Sequence, residues 1–138
     1  ERLSSVNVAG VAALVRAAAP FLPEGGRIVT IGSCMAERFP FPGAADYCAS
    51  KAAVAAYTRG WARDLGARGI TVNTVQPGPI ETDMNPDGTD FAKTLKATIA
   101  LGRYGRTEEV AAAVAFLAGP EASYVTGSAL TVDGGFNA

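Results

Sequence analysis

The spacing of apolar residues changes several times along the 138-residue chain, and each change predicts a different element. Helical spacing predicts four helices, near residues 3–19, 44–67, 89–100 and 108–118. Pro20 and Pro23 end the first helix. Thr107 is the expected N-cap of the last one, because the acidic residues that follow it suit the positive end of a helix dipole.

A β-branched run bounded by turn residues predicts a strand at residues 27–31, and two further apolar runs near glycine and proline predict strands at residues 70–75 and 129–132. Because strands alternate with helices, we expect parallel pairing with helices on both faces. The predicted fold is a doubly wound, Rossmann-like α/β sheet of three strands that forms one unit over residues 1–138. The apolar strand 27–31 would then lie at an open edge, which promotes aggregation. We therefore expect a similar length of chain upstream of Glu1.

The composition argues against several classes of function. Twelve Lys and Arg residues nearly balance thirteen Asp and Glu residues without any basic run, so we expect no nucleic acid partner. No continuous apolar stretch reaches the roughly 18 residues of a membrane span, so we expect no membrane partner. The chain has no His, and Cys34 and Cys48 form no metal or disulfide motif, so no metal is expected. The expected compartment is cytoplasmic.

Tyr47 and Lys51 are the strongest chemical signal in the sequence. They lie one helical turn apart near the start of helix 44–67 and share one face of it. A nearby ammonium group favours the ionised form of a phenol, so this pair can exchange a proton without histidine. The same spacing also arises by chance on exposed helices, so the assignment depends on the residues around it.

Polar residues follow two predicted strands at the sheet edge where open parallel sheets bind ligands. Ser33 follows strand 27–31, where its hydroxyl can hold a substrate carbonyl or cap a turn. Pro77 and Gly78 end the second strand and turn the backbone out of the sheet. Asn7 is a polar residue on an apolar helix stripe with Leu3, Val11 and Leu14, so it marks either a functional position or a solvent-edge amide. Both cysteines are interpreted as small packing residues.

In their order along the chain, Asn7, Ser33, Tyr47 and Lys51 resemble the catalytic tetrad of the short-chain dehydrogenase/reductase family. Further likeness is found in Asn7-Val8-Ala9-Gly10, Pro77-Gly78, Val125-Thr126-Gly127 and Asp133-Gly134-Gly135. The resemblance covers essentially the whole chain. The chain is similar to the C-terminal half of the family's proteins, and in particular to the 3-oxoacyl-carrier-protein reductase-like branch. Many members place the serine at the position of Cys34, but a thiol is a poor donor to a carbonyl, so Ser33 is preferred. The resemblance implies that the N-terminal dinucleotide-binding half of the family, with its glycine-rich loop, is not part of residues 1–138.

The resemblance implies hydride transfer between NAD or NADP and a carbonyl or secondary alcohol. Tyr47 would exchange the proton, Lys51 would bind the nicotinamide ribose, Ser33 would hold the substrate oxygen, and Asn7 would order a water. The resemblance also implies a set of cofactor-binding residues, namely Tyr47, Lys51, Pro77, Gly78, Ile80 and Thr82. Homodimers or homotetramers would form through the helices that carry Asn7 and Tyr47.

Segment 84–106 is interpreted either as a lid over the substrate or as ordinary packing. Two alternative functions remain open. Three segments, residues 31–33, residues 76–80 with 82–86, and residues 119–123, are similar to a bacterial subgroup linked to cyclic-di-GMP binding and biofilm dispersal. The chain would also fit an inactive fragment of an enzyme. The substrate, its direction of conversion and the choice between NAD and NADP cannot be read from these residues.

Overall fold

A computed structural model describes residues 2–138, and its centre is a parallel sheet of three strands. The strands are β1 (Arg27–Ile31), β2 (Thr71–Pro77) and β3 (Ala129–Val132). They lie in the order β1-β2-β3, with Arg27 opposite Thr71 and Thr74 opposite Ala129. The predicted strands and their parallel pairing are confirmed.

Within residues 2–138, five α-helices flank the sheet. They are α1 (Arg2–Ser4), α2 (Val11–Ala18), α3 (Ala45–Leu65), α4 (Asp90–Lys96) and α5 (Thr107–Ala118). Thr107 is the first residue of α5 and Arg106 occupies the N-cap position, so the predicted cap was wrong by one residue. The Glu109 carboxylate accepts the Arg106 N–H at 2.8 Å and thus satisfies a donor at the start of the helix.

The core is divided between the two faces of the sheet. On one face, Trp61 of α3 and Val15 of α2 pack against Val72. On the other face, Leu117 of α5 packs against Val75. Neighbouring side chains of β2 point to opposite faces, and both faces carry helices, so its residues Thr71 to Gln76 are all buried. The predicted doubly wound arrangement is therefore confirmed.

The first helical run differs from its predicted pattern. Between α1 and α2, residues Ser5–Gly10 form a π-helix, which adds a residue to a helical turn and shifts the apolar stripe. The predicted stripe included Leu14, but Leu14 is 70% exposed, whereas Ala12 and Val15 are buried. The buried face of α2 is therefore one residue out of phase with the prediction.

The whole helical run Arg2–Phe21 is long and apolar enough to cross a membrane, judged by length and composition alone. The sequence-based expectation that no segment reaches this threshold was therefore wrong. A single such helix near an N-terminus is weak evidence for a membrane, because helices of soluble proteins pass the same test.

Candidate active site

A cavity of about 680 Å³ lies at the carboxyl ends of β1 and β2. Three of the four predicted catalytic residues, Ser33, Tyr47 and Lys51, line it. All the predicted cofactor-binding residues line it too, namely Tyr47, Lys51, Pro77, Gly78, Ile80 and Thr82. The parallel topology explains this, because it brings the carboxyl ends of neighbouring strands to one edge of the sheet.

Tyr47 and Lys51 enter the cavity from the first turns of α3. The Lys51 ammonium lies 5.7 Å from the centroid of the Tyr47 ring. It also donates a hydrogen bond to the carbonyl oxygen of Ile31 at 3.2 Å, which ties Lys51 to the end of β1. Partial burial lowers the pKa of Lys51. The amine is thus fixed beside the phenol and faces the same space.

Ser33 lies two residues after the end of β1 and is 6% exposed. Its Oγ accepts the N–H of Met35 at 3.2 Å and so caps the short 3-10 turn Cys34–Ala36. That bond uses a lone pair of the oxygen and leaves the hydroxyl proton available to another acceptor. The two interpretations of Ser33, as a turn cap and as a donor to a substrate oxygen, are therefore compatible.

Cys34, the alternative to Ser33 in the family pattern, does not line the cavity. It is buried in an apolar cluster with Leu95 and Ile99. Burial, reinforced by the charge of Asp133, raises the pKa of Cys34 to about 11. The reactive thiolate is thereby suppressed. These surroundings support Ser33 as the serine of the site and Cys34 as a packing residue.

Asn7 is the predicted catalytic residue that the structure leaves outside the cavity. It lies in the π-helical segment, and its side-chain amide donates to Ser50 Oγ at 3.3 Å. The Ser50 hydroxyl in turn donates to the carbonyl oxygen of Tyr47 at 2.7 Å. Asn7 is therefore connected to the Tyr47 turn through Ser50, a buried residue of α3 that the sequence analysis missed.

Residues 77–82, called here the cofactor loop after their predicted role, include a glycine that has no room for a side chain. A Cβ at Gly78 would lie 2.5 Å from the Cβ of Asp133. The Gly78 N–H donates to the Val132 carbonyl at 2.9 Å. The glycine is therefore required by the close approach of the end of β3.

Ile80 pairs with Gly105 in an isolated parallel bridge. The Glu81 N–H donates to the Gly105 carbonyl, and the Gly105 N–H donates to the Pro79 carbonyl, each at 2.9 Å. In parallel pairing of this kind, the N–H and C=O of Ile80 itself point to the opposite side. A Cβ at Gly105 would lie 2.6 Å from Ile80 Cδ1, so Gly105 allows close packing of the two segments.

An ion pair between Arg103 and Glu109 stabilises the segment that pairs with the cofactor loop at Gly105. Arg103 donates two hydrogen bonds to the Glu109 carboxylate, at 2.7 and 2.9 Å, and a third to the Tyr104 carbonyl at 3.0 Å. The bonds from Arg103 and from the Arg106 amide lower the pKa of Glu109 to about 2. Bidentate pairs of this kind fix geometry as well as charge. The turn before α5 is thus held where it pairs with Ile80.

This geometry agrees with the comparison to protein families. The family model described as enoyl-(acyl carrier protein) reductase matches residues 1–137. The chain therefore belongs to this family of short-chain dehydrogenases/reductases, and the resemblance found in the sequence is confirmed.

Three relatives illustrate the match. The chain is 50% identical over 138 residues to the cyclic-di-GMP-binding biofilm dispersal mediator protein of Escherichia coli K12, covering 100% of this chain and 58% of the relative. It is 48% identical over 111 residues to a 3-oxoacyl-[acyl-carrier-protein] reductase of Vibrio cholerae, and the match covers 80% of this chain and 45% of that reductase. The solved structure of a short-chain dehydrogenase from Burkholderia cenocepacia in complex with NADP matches with a TM-score of 0.94 and 52% identity. This match covers 96% of the present chain and 54% of the dehydrogenase. The chain thus spans about half the length of its relatives.

Proposed function

We propose that this chain is the catalytic half of an NAD- or NADP-dependent oxidoreductase acting on a carbonyl or secondary alcohol. One observation carries the proposal: a single cavity joins Ser33, Tyr47 and Lys51 to the cofactor loop. A similar dehydrogenase solved with NADP supports this cofactor class. When bound, the nicotinamide supplies or accepts the hydride.

The residues of the cavity transfer the proton, stabilise the developing charge and bind the substrate oxygen. The Tyr47 hydroxyl gives its proton to the carbonyl oxygen in reduction and takes a proton back in oxidation. The Lys51 ammonium stabilises the negative charge that develops on the phenol oxygen. The Ser33 hydroxyl donates to the substrate oxygen and holds it beside Tyr47. Asn7 acts at a distance, through Ser50, on the turn that carries Tyr47.

The described residues fit the nicotinamide end of the cofactor. Lys51 would bind the ribose, while the Ile80 N–H and the Thr82 hydroxyl would bind the carboxamide. A dinucleotide also needs amides at a helix N-terminus for its pyrophosphate. We infer that an upstream half of the protein supplies these amides and covers the open edge of β1, where Ile31 is 50% exposed. Cofactor binding by residues 1–138 alone, as tight as that of the extended reading frame, would contradict this.

The segment around α4 suits a substrate with an apolar portion. Met84 lines the cavity and is 97% exposed. Phe91 of α4 lies 6.0 Å from Phe41, measured between ring centroids, so α4 contacts the loop that precedes Tyr47. Gly88 and Gly102, with positive φ values of 89° and 67°, lie on either side of α4, and we infer that they act as its hinges. We infer that this segment closes over the substrate.

A second copy of the chain is the proposed partner. Leu14 is 70% exposed, and a cleft of about 750 Å³ between α2 and α3 is lined by Val15, Tyr57 and Trp61. Burial of this apolar surface favours a homodimer or homotetramer through the helices that carry Asn7 and Tyr47. The proposed compartment is cytoplasmic. Sedimentation of the full-length protein as a stable monomer would contradict the assembly.

A cyclic-di-GMP-binding regulator is the second candidate function. It is favoured by the biofilm dispersal mediator of E. coli, which is 50% identical over the entire chain. Against a purely regulatory role, a binding protein has no need for the set Ser33, Tyr47 and Lys51 in one cavity. Calorimetry with cyclic-di-GMP, run beside a nicotinamide absorbance assay on a panel of carbonyl substrates, separates the two. Binding of the dinucleotide with no turnover on any substrate would favour the regulator.

Ser33→Ala in the full-length protein is expected to lower kcat/KM by about 10²-fold, because one preorganised donor to the substrate oxygen is lost. Steady-state assays with the best substrate of the panel measure this. Cys34→Ala is the matched control, since it changes the neighbouring side chain in the apolar cluster. It is expected to lower thermal stability and to leave kcat/KM nearly unchanged. The reverse pattern would assign the substrate contact to Cys34.

A further inference from the structure

Asn85 connects the cofactor loop to the segment that follows it. The Asn85 N–H donates to the Thr82 carbonyl at 2.9 Å. Its side-chain Nδ2 donates to the carbonyl oxygen of Ile80 at 3.0 Å. Since the N–H and C=O of a residue in an extended strand lie on the same side, the bond to the Ile80 carbonyl also sets the direction of the Ile80 N–H. Asn85 itself lines the cavity.

Tyr104 holds the other end of the Asn85 amide. Its hydroxyl donates to Asn85 Oδ1 at 3.5 Å, and its side chain is 4% exposed. Burial, together with the charge of Asp87, raises the pKa of Tyr104, so the hydroxyl stays protonated and acts as a donor. The amide of Asn85 is therefore oriented from both sides, by Ile80 and by Tyr104.

The Tyr104 ring is in turn packed against α4. It belongs to a buried cluster with Ala92 and Leu95. The Lys96 ammonium lies 5.8 Å from the centroid of the Tyr104 ring and forms an ion pair with Asp87. A displacement of α4 would therefore move Tyr104 and, through Asn85, the peptide group of Ile80.

We propose that Asn85 and Tyr104 are positioning residues. They couple the position of α4 to the affinity of the cofactor loop for the nicotinamide carboxamide. The identity of this ligand rests on the proposed function, whereas the coupling is a property of these contacts. Closure of α4 over a substrate holds the Ile80 N–H toward the cavity. By reciprocity, a bound cofactor then favours closure of α4.

Amide hydrogen exchange in the full-length protein, without any ligand, tests the coupling. Tyr104→Phe removes only the hydroxyl and keeps the ring in its cluster. It is expected to speed exchange of the Glu81 and Thr82 amides by about fivefold or more, and Asn85→Ala is expected to do the same. The double variant should match Asn85→Ala alone, because the signal passes through Asn85. Tyr124→Phe, the same change at a fully exposed residue, is the control. Unchanged exchange, or additive effects in the double variant, would overturn the proposal.

Kinetics of the full-length protein test the functional consequence. In Tyr104→Phe and Asn85→Ala, the KM for the nicotinamide cofactor is expected to rise about tenfold, with a much smaller change in kcat. Affinity for ADP-ribose, which lacks the nicotinamide, should not change. An equal loss of ADP-ribose affinity would reveal general damage and overturn the positioning role. If the unaltered protein neither binds nor turns over a nicotinamide cofactor, the proposed function fails, while hydrogen exchange still decides the coupling.

Discussion

Tyr47→Phe in the full-length protein is expected to reduce turnover by about 10³-fold, because the group that exchanges a proton with the substrate oxygen is removed. The ring remains beside Lys51, whose ammonium lies 5.7 Å from its centroid. Cofactor affinity should therefore be largely retained. Steady-state nicotinamide absorbance measures turnover, and fluorescence titration of the reduced cofactor measures affinity.

Tyr57→Phe is the matched control for this change. Tyr57 lies in the same helix α3 and stacks on Trp61 at a centroid distance of 4.8 Å, away from the cavity. Loss of its hydroxyl should leave turnover nearly unchanged. Near-normal turnover in Tyr47→Phe would remove Tyr47 from the mechanism, whereas equal losses in both variants would point to damage to α3.

Gly78→Ala is expected to lower the free energy of unfolding by about 3 kcal/mol, the upper end of the usual cost of overpacking. The added Cβ would lie 2.5 Å from Asp133 Cβ and 2.6 Å from its Cα. Because one of these atoms is backbone, relief requires β3 or the cofactor loop to move. Urea denaturation followed by circular dichroism measures the loss.

Gly66→Ala is the control for glycine replacement itself. Gly66 has helical backbone angles and open space around its Cα. Alanine there should stabilise the fold by about 0.4–1 kcal/mol, by restricting the unfolded chain. A Gly78→Ala variant as stable as Gly66→Ala would contradict the close approach of β3 to the cofactor loop.

Local patterns in the sequence were enough to predict the helices and strands and several of the residues that line the cavity. The strand 27–31 needs only its β-branched run and the glycines on either side of it, and the pairing of Tyr47 with Lys51 needs only helix periodicity. Ser33 and Gly78 meet because parallel strands end at a common edge. The sequence therefore predicted which residues share the cavity, although the roles assigned to them stay predictions.

The remaining features depend on contacts between distant segments. The exposure of Leu14 follows from a π-helical turn, which leaves no mark in residue spacing. The bond between Tyr104 and Asn85 joins two segments whose proximity is set only once α4 has packed. A tyrosine between two glycines, in Gly102-Arg103-Tyr104-Gly105, was the available signal for a special position. Nothing in that pattern identifies Asn85 as its partner.

The parallel pairing of β1 with β2 also affects how the chain reaches this structure. Arg27 pairs with Thr71, so the two strands are neighbours in the sheet although the whole of α3 separates them along the chain. Such a long loop must close before the hydrogen bonds between the strands form. This gives the fold a high contact order, which slows folding. Refolding followed by stopped-flow fluorescence of Trp61, which packs beside Val72, should therefore lag behind the appearance of helical signal.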